Sequence, residues 1–462
     1  MRSGICLIAL ISAVIIATSA KPPPSDLLLT VSRNIDISTQ LSKYVLNINA
    51  KNKGNDVTYF IHPISKEQNL HLSYITANEG KGKKLHVSKV EDSFGNSDYI
   101  YYKIEFLSTL KKDSSLDFQV EYVLSEYLKI YPTEIAQSES QFTLWEGSSN
   151  YVSVYPIESD KSTVKIGHGK ALSHTGTKSG DKIQYGPTKN VAPFTSTKVS
   201  IHYENNAPFI VVTNLERIIE VSHWGNIAIE DQVEIVHKGA KLKGSFSRLD
   251  FQVDRRTNSP IVKSFKATLP AQARDIYYRD QIGNISTSMV RGYDNRVEVD
   301  MRPRFPLLGG WRTNYIFGYN VPSSEFLYSS GSSFALKIPL IHPLYDNMLI
   351  EKAQIKIILP ETSHNIKIVK PYSVSQLPDS LHFTYLDIVG RPVITLEKNN
   401  LVEYHSQPFT IYYEFTSMSM FREPILVIGA LMLIYCIFIV FNRLDFSIVP
   451  KDGNIVAHSK TD

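Results

Sequence analysis

The sequence predicts a mainly β protein made of two tandem, duplicated, antiparallel β-sandwich-like domains followed by one C-terminal transmembrane helix. Three observations predict this fold. Apolar and polar residues alternate along many short segments, several short motifs recur in the same order in the two halves, and one uncharged apolar stretch lies near the C-terminus. No long segment before that stretch has the 3.6-residue period of an amphipathic helix. Strands are therefore the expected building blocks.

The apolar stretch is the strongest single signal. From Ile425 it reads ILVIGALMLIYCIFIVF, and no charged residue follows until Arg443. At about 1.5 Å per residue, residues 425–441 reach roughly 26 Å, which matches a thin bilayer of about 27 Å. A buried core helix of a soluble domain is the alternative. Apolarity on all sides and a position near the chain end favour a transmembrane helix over residues 424–441, opened by Pro424.

The N-terminus predicts the side of the membrane on which the chain lies. Residues 1–20 combine a basic start, an apolar core and small residues, which is typical of a secretory signal peptide cleaved after Ala20. A retained anchor is the alternative, but the apolar core is short for a span. We therefore expect a single-pass type I protein with a luminal region and a short cytosolic tail, residues 442–462.

Composition narrows the class of protein. A formal net charge of +4 gives no electrostatic argument for a nucleic-acid partner. The apolar fraction of 43% is sufficient for proper cores. Of the two cysteines, Cys6 leaves with the signal peptide and Cys436 lies in the span. The luminal part is therefore expected to have no disulfide, which argues against a small extracellular adhesion module.

Recurring motifs indicate that the luminal chain is a duplication. Asn34–Ile37 resembles Asn226–Ile229, and four further matches follow in the same order. These pair Ala50–Gly54 with Ala240–Gly244, Asp92, Gly95 and Asn96 with Asp280, Gly283 and Asn284, Pro156–Ile166 with Pro360–Ile368, and Tyr203–Phe209 with Tyr404–Phe409. The predicted domains are residues 21–212 and 213–423. If they share a fold, Gly95 and Gly283 should lie in equivalent turns.

Alternation of apolar and polar residues predicts the strands within each domain. It is clear from Tyr44 to Ala50 and from Gln232 to His237, and it recurs in four further segments, 101–106, 116–123, 352–359 and 409–415. Residues 161–198 stand apart because they are rich in Lys, Gly, Ser and Thr. We expect a solvated loop there, with a partner-binding insertion as the alternative.

The sequence contains no catalytic motif that we recognise. It lacks H-E-x-x-H, G-x-S-x-G and a P-loop. Glu298 and Asp300 share one predicted strand face, where an exposed face is a better interpretation than a metal site because no other ligands accompany them. Trp224 and Trp311 each adjoin a glycine and are expected in the core. No catalytic residue, cofactor-binding residue, metal ligand or cofactor is predicted.

Two features predict modification and contact. Asn284-Ile285-Ser286 is an N-x-S/T sequon in a predicted luminal turn, so Asn284 is a candidate for N-glycosylation. In the span, Gly429, Ala430 and Tyr435 lie among bulky apolar residues. Small residues let a second helix approach closely in lipid, so these three are candidate contacts to another membrane helix.

Five segments carry a resemblance to a known family. They are Ser222–Glu230, Lys243–Arg248, Arg279–Ser286, Arg302–Leu307 and Gly309–Trp311. Together they resemble the ribophorin I family, accessory subunits of the oligosaccharyltransferase complex of the endoplasmic reticulum. The signal, the two β domains and the single span fit the same family, so nearly the whole chain takes part in the resemblance.

The resemblance implies a function and a set of partners. The complex transfers an oligosaccharide en bloc from dolichyl diphosphate to asparagine in N-x-S/T sequons of nascent proteins. In the family, the chemistry belongs to a many-span subunit with a W-W-D-Y-G motif, which this sequence lacks. The implied partners are that subunit, small membrane subunits, membrane lipid and nascent polypeptide. Animal members carry a long cytosolic extension for ribosome contact, and the short tail here is instead similar to fungal members.

Two other classes of function are compatible with parts of the sequence. A peptidase-like luminal enzyme would use β domains similar to the non-catalytic ones of aminopeptidases, but the missing metal motif argues against it. A cargo or adhesion receptor would use the single span, but the lack of disulfides and of sorting signals in the tail argues against that. Purification in mild detergent, followed by identification of the co-purifying subunits, would distinguish these two hypotheses from that of an accessory subunit.

Overall fold

The computed structural model describes residues 26–444 and 446, except 81, 92, 93, 95, 168, 169, 255, 257 and 385. Strands make up most of this part of the chain, and its last element is a long apolar helix. The predicted mainly β class with a C-terminal helix is confirmed. The predicted signal peptide with its cleavage site after Ala20, and nearly all of the predicted cytosolic tail, lie outside the described residues.

The first half of the described chain contains fifteen strands and one short helix. They are β1 (Leu27–Asp36), β2 (Ser42–Asn52), β3 (Val57–Ser65), α1 (Lys66–Leu70), β4 (Leu72–Glu79), β5 (Lys83–Val90), β6 (Tyr99–Leu110), β7 (Ser115–Leu124), β8 (Lys129–Ile130), β9 (Glu134–Ile135), β10 (Phe142–Ser148), β11 (Ile157–Lys165), β12 (Ala171–His174), β13 (Thr177–Ser179), β14 (Lys182–Val191) and β15 (Lys198–Glu204).

The second half contains the remaining strands and ends in the long helix. They are β16 (Ile210–Ser222), β17 (Asn226–His237), β18 (Lys241–Leu242), α2 (Arg248–Val253), β19 (Phe265–Pro270), β20 (Arg274–Arg279), β21 (Met289–Gly292), β22 (Arg296–Met301), β23 (Arg312–Pro322), α3 (Ser323–Phe326), β24 (Leu327–Ser330), β25 (Ser333–Pro339), β26 (Leu349–Ile358), β27 (His364–Val369), β28 (Ser375–Gln376), β29 (Ser380–His382), β30 (Arg391–Val402), β31 (Pro408–Glu414) and α4 (Arg422–Arg443). Two 3₁₀ turns, Glu403–His405 and Ser417–Phe421, flank β31.

The two halves share one strand topology. The large sheet runs β14-β11-β1-β2-β7-β4 in the first half and β30-β26-β16-β17-β23-β20 in the second. The smaller sheets match as well, with β12-β15-β10-β8 against β27-β31-β25-β24. The trio β5-β6-β3 corresponds to β21-β22-β19, although only in the first half does it continue the large sheet. This strand order supports the predicted duplication more directly than any sequence motif does.

The sequence predicts antiparallel sheets, but each large sheet contains one parallel pair of strands. β1 pairs in parallel with β11, and β16 pairs in parallel with β26, in the middle of each large sheet. In each half, the chain between the two parallel strands also forms strands of the smaller sheet. Parallel central strands are usually buried on both faces, but β26 alternates the buried Ala353, Ile355 and Ile357 with the partly exposed Gln354 and Lys356. Alternation alone does not reveal strand direction.

The recurring motifs occupy different positions in the two halves. Asn34 lies near the end of β1, whereas Asn226 begins β17, the counterpart of β2. Asn96 lies between β5 and β6, whereas Asn284 lies between β20 and β21, the counterparts of β4 and β5. The predicted equivalence of these two turns is therefore wrong. Matches of three or four residues recur easily among strands and turns of similar composition.

The segment 161–198 is not a solvated loop. It contains the end of β11, the short strands β12 and β13, and the ten-residue strand β14. β14 pairs along its length with β11 and buries Ile183, Tyr185 and Val191, while most of its other side chains stay exposed. Most of the Lys, Ser and Thr residues occupy exposed positions of an edge region, although Ser162 is buried. Three buried residues in ten, the third far from the first two, gave too weak an alternation to predict the strand.

Each half has its own hydrophobic core between its large and small sheets. In the first half, Tyr44 and Leu46 of the large sheet belong to the same buried cluster as Trp145 and Tyr203 of the small sheet. In the second half, Phe317 and Ile355 cluster with Leu336 and Ile411 in the same way. This packing of two sheets face to face is the sandwich-like arrangement that the sequence predicts.

The halves contact each other through a small apolar cluster and a pair of strands. Leu41 and Val123 from the first half pack with Val211, Leu349 and Val402. β9 pairs in parallel with β18, which joins the backbones of the two halves directly. The predicted boundary at residue 212 falls within the first residues of β16, which itself belongs to the second sheet.

Candidate functional site at the base of the apolar helix

The helix α4 is the only one among the described residues that is long and apolar enough to cross a membrane. Its 22 residues extend over about 33 Å at 1.5 Å per residue. None of its residues is buried against the rest of the protein. The predicted contact residues Gly429, Ala430 and Tyr435 are all exposed on it, and a Cβ added at Gly429 would meet nothing within 4 Å. From Ile425 onward the helix therefore leaves its surface free for lipid or another helix.

A partly buried network of charges joins the second β domain to the first turn of α4. Arg391, at the start of β30, contacts Glu220 of β16 at 2.6 Å and Glu423 of α4 at 3.0 Å. It also contacts Asp387 in the preceding loop at 3.2 Å. Burial opposes the charge of Arg391, but its attraction to Asp387 and Glu220 leaves the pKa of the guanidinium above its ordinary value. One cation thus ties a strand, a loop and the helix together.

Glu361 organises the neighbouring loop. One of its carboxylate oxygens accepts hydrogen bonds from the backbone N–H groups of Ile388, Val389 and Gly390, at 2.9, 2.6 and 3.3 Å. Its other oxygen lies 3.9 Å from the guanidinium of Arg422, the first residue of α4. A carboxylate that is nearly buried and accepts several N–H groups is a rigid anchor. The loop before β30 is therefore held in a fixed position beside the helix.

The turn between β16 and β17 supplies the aromatic part of the site. The ring of His223 stacks on Phe415 at 4.2 Å, and its Nε2 lies 3.1 Å from the hydroxyl of Tyr413. Trp224 meets Phe421 edge to face at 6.4 Å. The expectation that Trp224 lies in the core is wrong, since the side chain is 64% exposed. A tight turn lifts it off the sheet, and Gly225 provides the positive φ of 100° that this turn requires.

Large apolar side chains around the first turn of α4 point into solvent. We call them the apolar rim, and it consists of Trp224, Ile388, Val389, Met418 and Phe421. Their exposed fractions are 64, 61, 51, 70 and 47% in that order. The carboxylate of Glu361 fixes the backbone of two of them, Ile388 and Val389. Contiguous exposed apolar surface of this kind marks contact with a membrane or a partner.

The sequon lies on an exposed turn of the second half. Asn284 and Ser286 are both exposed, while Ile285 between them is buried. Asp280 shapes the turn by accepting the N–H groups of Ile282 and Gly283 at 2.9 and 3.1 Å. Arg304 pairs with the same carboxylate, which holds the pKa of Asp280 at about 2. The acceptor amide is therefore presented on a fixed turn.

The two carboxylates that sequence reasoning weighed as a metal site are engaged with arginines. Glu298 lies 2.8 Å from Arg296, and Asp300 lies 3.8 Å from Arg302. Within the described part of the chain, no group of three or more His, Cys, Asp or Glu residues is placed to hold a metal ion. The other Trp in question, Trp311, is partly buried and packs against the core of the second half.

Sequence reasoning missed the charged network and the apolar rim. Glu220, Glu361 and Arg391 are far apart along the chain, and nothing in their local sequence distinguishes them from other strand-end charges. The turn containing Trp224 lies within a segment that carries the resemblance described above. That segment gave the one available signal for this site, although its aromatic residues were expected in the core.

Comparisons with known proteins give a consistent result. A family model described as Ribophorin I matches residues 28–442. The chain is 41% identical to dolichyl-diphosphooligosaccharide–protein glycosyltransferase subunit 1 of Caenorhabditis elegans, over 90% of this chain and 72% of that protein. It is 34% identical to subunit 1B of Arabidopsis thaliana, over 98% of this chain and 100% of that protein.

Among solved structures, yeast LTA4 hydrolase overlaps with 40% of this chain and 29% of its own at 6% identity and a TM-score of 0.23. Similarity at this level carries no argument about activity. The match of the family model and of the sequence relatives extends across both halves and the apolar helix. The chain therefore belongs to the ribophorin I family.

Proposed function

We propose that this chain is a non-catalytic subunit of the complex that transfers oligosaccharide from dolichyl diphosphate to asparagine in N-x-S/T sequons of nascent proteins. The observation that carries the proposal is family membership over residues 28–442, together with relatives named as subunits of that glycosyltransferase. The lack of a recognised catalytic motif in the sequence favours the role of a non-catalytic subunit. No cofactor is required for that role.

The proposed location is the membrane of the endoplasmic reticulum, crossed once in type I orientation. The signal-like residues 1–20 and the apolar helix α4 support this topology. The bulk of the chain then lies in the lumen, and residues 442–462 form the cytosolic tail. The proposed partners are the many-span catalytic subunit and small membrane subunits, which would contact α4 at Gly429, Ala430 and Tyr435. Membrane lipid and nascent polypeptide complete the set, and no nucleic acid is involved.

The decisive experiment is purification of the tagged full-length chain in mild detergent, combined with its depletion from cells. We expect the catalytic subunit to co-purify and many secreted proteins to lose occupancy at their sequons after depletion. The purified chain alone should transfer no oligosaccharide. Intact glycosylation after depletion, with no transferase subunit in the purified material, would favour the cargo or adhesion receptor instead.

Modification of Asn284 is a second expectation. The asparagine is exposed on an ordered turn that we place in the lumen, so treatment with an endoglycosidase should lower the mass of the protein by one N-glycan. Asn284→Gln should abolish this shift, and Asn96→Gln should not, because Asn96 lacks the hydroxyl residue two positions on. A shift that persists in the Asn284 variant would contradict single-site modification.

Contact of the apolar rim with the bilayer surface is a third expectation. Because Trp224 lies beside Phe421 at the start of α4, it should reside at the headgroup level, where tryptophan is enriched. Lipids brominated on their acyl chains should quench Trp224 in a full-length chain in nanodiscs whose other tryptophans are phenylalanine. A variant that keeps only the buried Trp145 should not be quenched. Equal fluorescence of the Trp224 variant in brominated and plain lipid would contradict this placement.

A further inference from the structure

The first β domain contains an open cavity of about 520 Å³ between its two sheets. Its floor is aromatic and almost completely buried. Tyr44 and Tyr122 stack there with ring centroids 4.5 Å apart, and Tyr151 and Trp145 complete the floor. The rim is polar, with Glu67, Glu146 and Lys198 among its residues. Small-molecule sites have this size and this mixture of an apolar floor with a few polar groups.

Arg33 also lines the cavity, and it is only 5% exposed. Its Nε donates to Ser162 Oγ at 3.1 Å, and its Nη2 donates to the carbonyl of Ser148. Its Nη1 makes no hydrogen bond with any described residue, and no described carboxylate lies within 4.0 Å of the guanidinium. A buried guanidinium without an ion pair is costly, because desolvation is not repaid by a counter-charge.

The second half of the chain shows which ion-pair partner Arg33 lacks. Arg217 occupies the equivalent position, since it lies on β16, the counterpart of β1, and bonds to the carbonyl of Leu340 just after β25, the counterpart of β10. Asp231, directly opposite Arg217 on β17, binds it through two contacts of 2.6 Å. The residue directly opposite Arg33 on β2 is Leu46. The first half thus keeps the arginine, lacks the carboxylate and has a cavity instead.

Another buried acid in the first half does not take this role. Asp160 on β11 accepts the N–H of Tyr151 at 2.8 Å with one oxygen, and its other oxygen has no partner. Burial raises the pKa of Asp160, and attraction to Arg33 offsets only part of this rise, because the two groups do not approach to within the 4.0 Å of an ion pair. The free Nη1 of Arg33 therefore remains available to a ligand that enters the cavity.

We propose that this cavity binds a ligand that carries a carboxylate, which accepts from Nη1 of Arg33 and gives it the counter-charge that Asp231 gives Arg217, and a planar body that packs on the Tyr44–Tyr122 floor. A hydrogen bond from a guanidinium to a carboxylate is charge-assisted, and the low dielectric of the site strengthens it. The two glutamates on the rim would disfavour ligands with high negative charge. The site is independent of the proposed role in the glycosyltransferase complex.

Hippurate, a carboxylate with an amide and an aromatic ring, is a suitable probe, and hippuramide is its uncharged match. The full-length chain in nanodiscs, with Trp224 and Trp311 replaced by phenylalanine, keeps Trp145 as a reporter inside the cavity. At constant ionic strength, we expect a saturable change of its fluorescence with hippurate and none with hippuramide. Inorganic phosphate in a parallel titration tests whether another oxyanion can replace the carboxylate. Absence of saturation with hippurate, or an equal response to hippuramide, would overturn the proposal.

Two substitutions test the residue at the centre of the site. Arg33→Met should weaken hippurate binding at least about 30-fold, because it removes one partner of a buried charge pair. Leu46→Asp should also abolish binding, because it builds the second half's arrangement and occupies Arg33 from within. Lys198→Met on the rim is the matched control and should change the affinity little. Unchanged binding in either of the first two variants would show that Arg33 does not hold the ligand.

Stability provides a readout that does not depend on the probe. Arg33→Met removes a buried charge that has no ion pair within 4.0 Å, so it should lower the unfolding transition of the full-length chain much less than Arg217→Met does. Arg217→Met strands Asp231 and should lower it. A loss of stability with Arg33→Met as large as that with Arg217→Met would show that Arg33 is an internal structural charge, and this too would overturn the proposal.

Discussion

Replacing Asp231 with leucine should lower the free energy of unfolding by about 3–5 kcal/mol, the usual cost of stranding one member of a buried ion pair. Arg217 and Asp231 have side-chain exposures of 1% and 0%, so neither can recover solvation when its partner is removed. The change should appear as a shift to lower urea concentration in pulse proteolysis of the full-length chain in detergent micelles.

Two comparisons separate the lost pair from the loss of packing. The double variant Arg217→Met with Asp231→Leu should recover most of the stability, because an apolar pair of similar volume carries no stranded charge. Lys356→Ala breaks a pair with Glu216 whose side chains are 37% and 29% exposed, and it should cost no more than about 1 kcal/mol. A double variant as unstable as Asp231→Leu alone would contradict this account.

Replacing Gly309 with alanine should weaken the contact between the two halves and cost about 3 kcal/mol or more, at the upper end for overpacking. A Cβ at this position would lie 1.7 Å from the backbone oxygen of Ala240, which no side-chain adjustment can relieve. The carbonyl of Gly309 also accepts the N–H of Leu242, one of the residues of β18 that pair with β9 of the first half.

Limited proteolysis of the full-length chain measures this effect. Cleavage near β9 and β18 should become faster in Gly309→Ala than in the unmodified protein. Gly292→Ala is the matched control, since a Cβ there would meet nothing within 4 Å and the residue lies on the exposed edge strand β21. Equal cleavage rates in the Gly309 variant and the unmodified protein would show that the backbone accommodates the added Cβ without weakening the contact between the halves.

Features that depend on residues close in sequence could be predicted. The apolar run gave the helix, and the alternation around Tyr44–Ala50 and Gln232–His237 gave strands that form part of β2 and β17. The duplication was also predicted, but from motifs that the structure does not align. The repeat is visible in the strand order that the two halves share, and this order depends on pairings between residues that are far apart in the sequence.

Features that depend on distant pairings could not be predicted. Arg391 meets Glu220 and Glu423 only because β30, β16 and α4 converge at one end of the second sheet. Nothing local predicts that Glu361 holds the loop before β30, or that Leu46 lies opposite Arg33 where the other half has Asp231. In each case the chemistry comes from register and sheet order. The prediction that Trp224 lies in the core was wrong because an aromatic residue beside a glycine is as compatible with an exposed turn as with a core.

The joint at Arg391 and Glu361 has a mechanical consequence. Both residues contact the first turn of α4, at Glu423 and Arg422, so the helix has a defined rotation about its axis relative to the β sheets. Each residue of a helix turns it by about 100°. One alanine inserted after Glu423 would therefore swing the face that carries Gly429 and Ala430 by that angle while the sheets kept their heading. The length of the chain between this joint and Gly429 therefore determines the direction, relative to the β sheets, in which the small-residue face of the helix points.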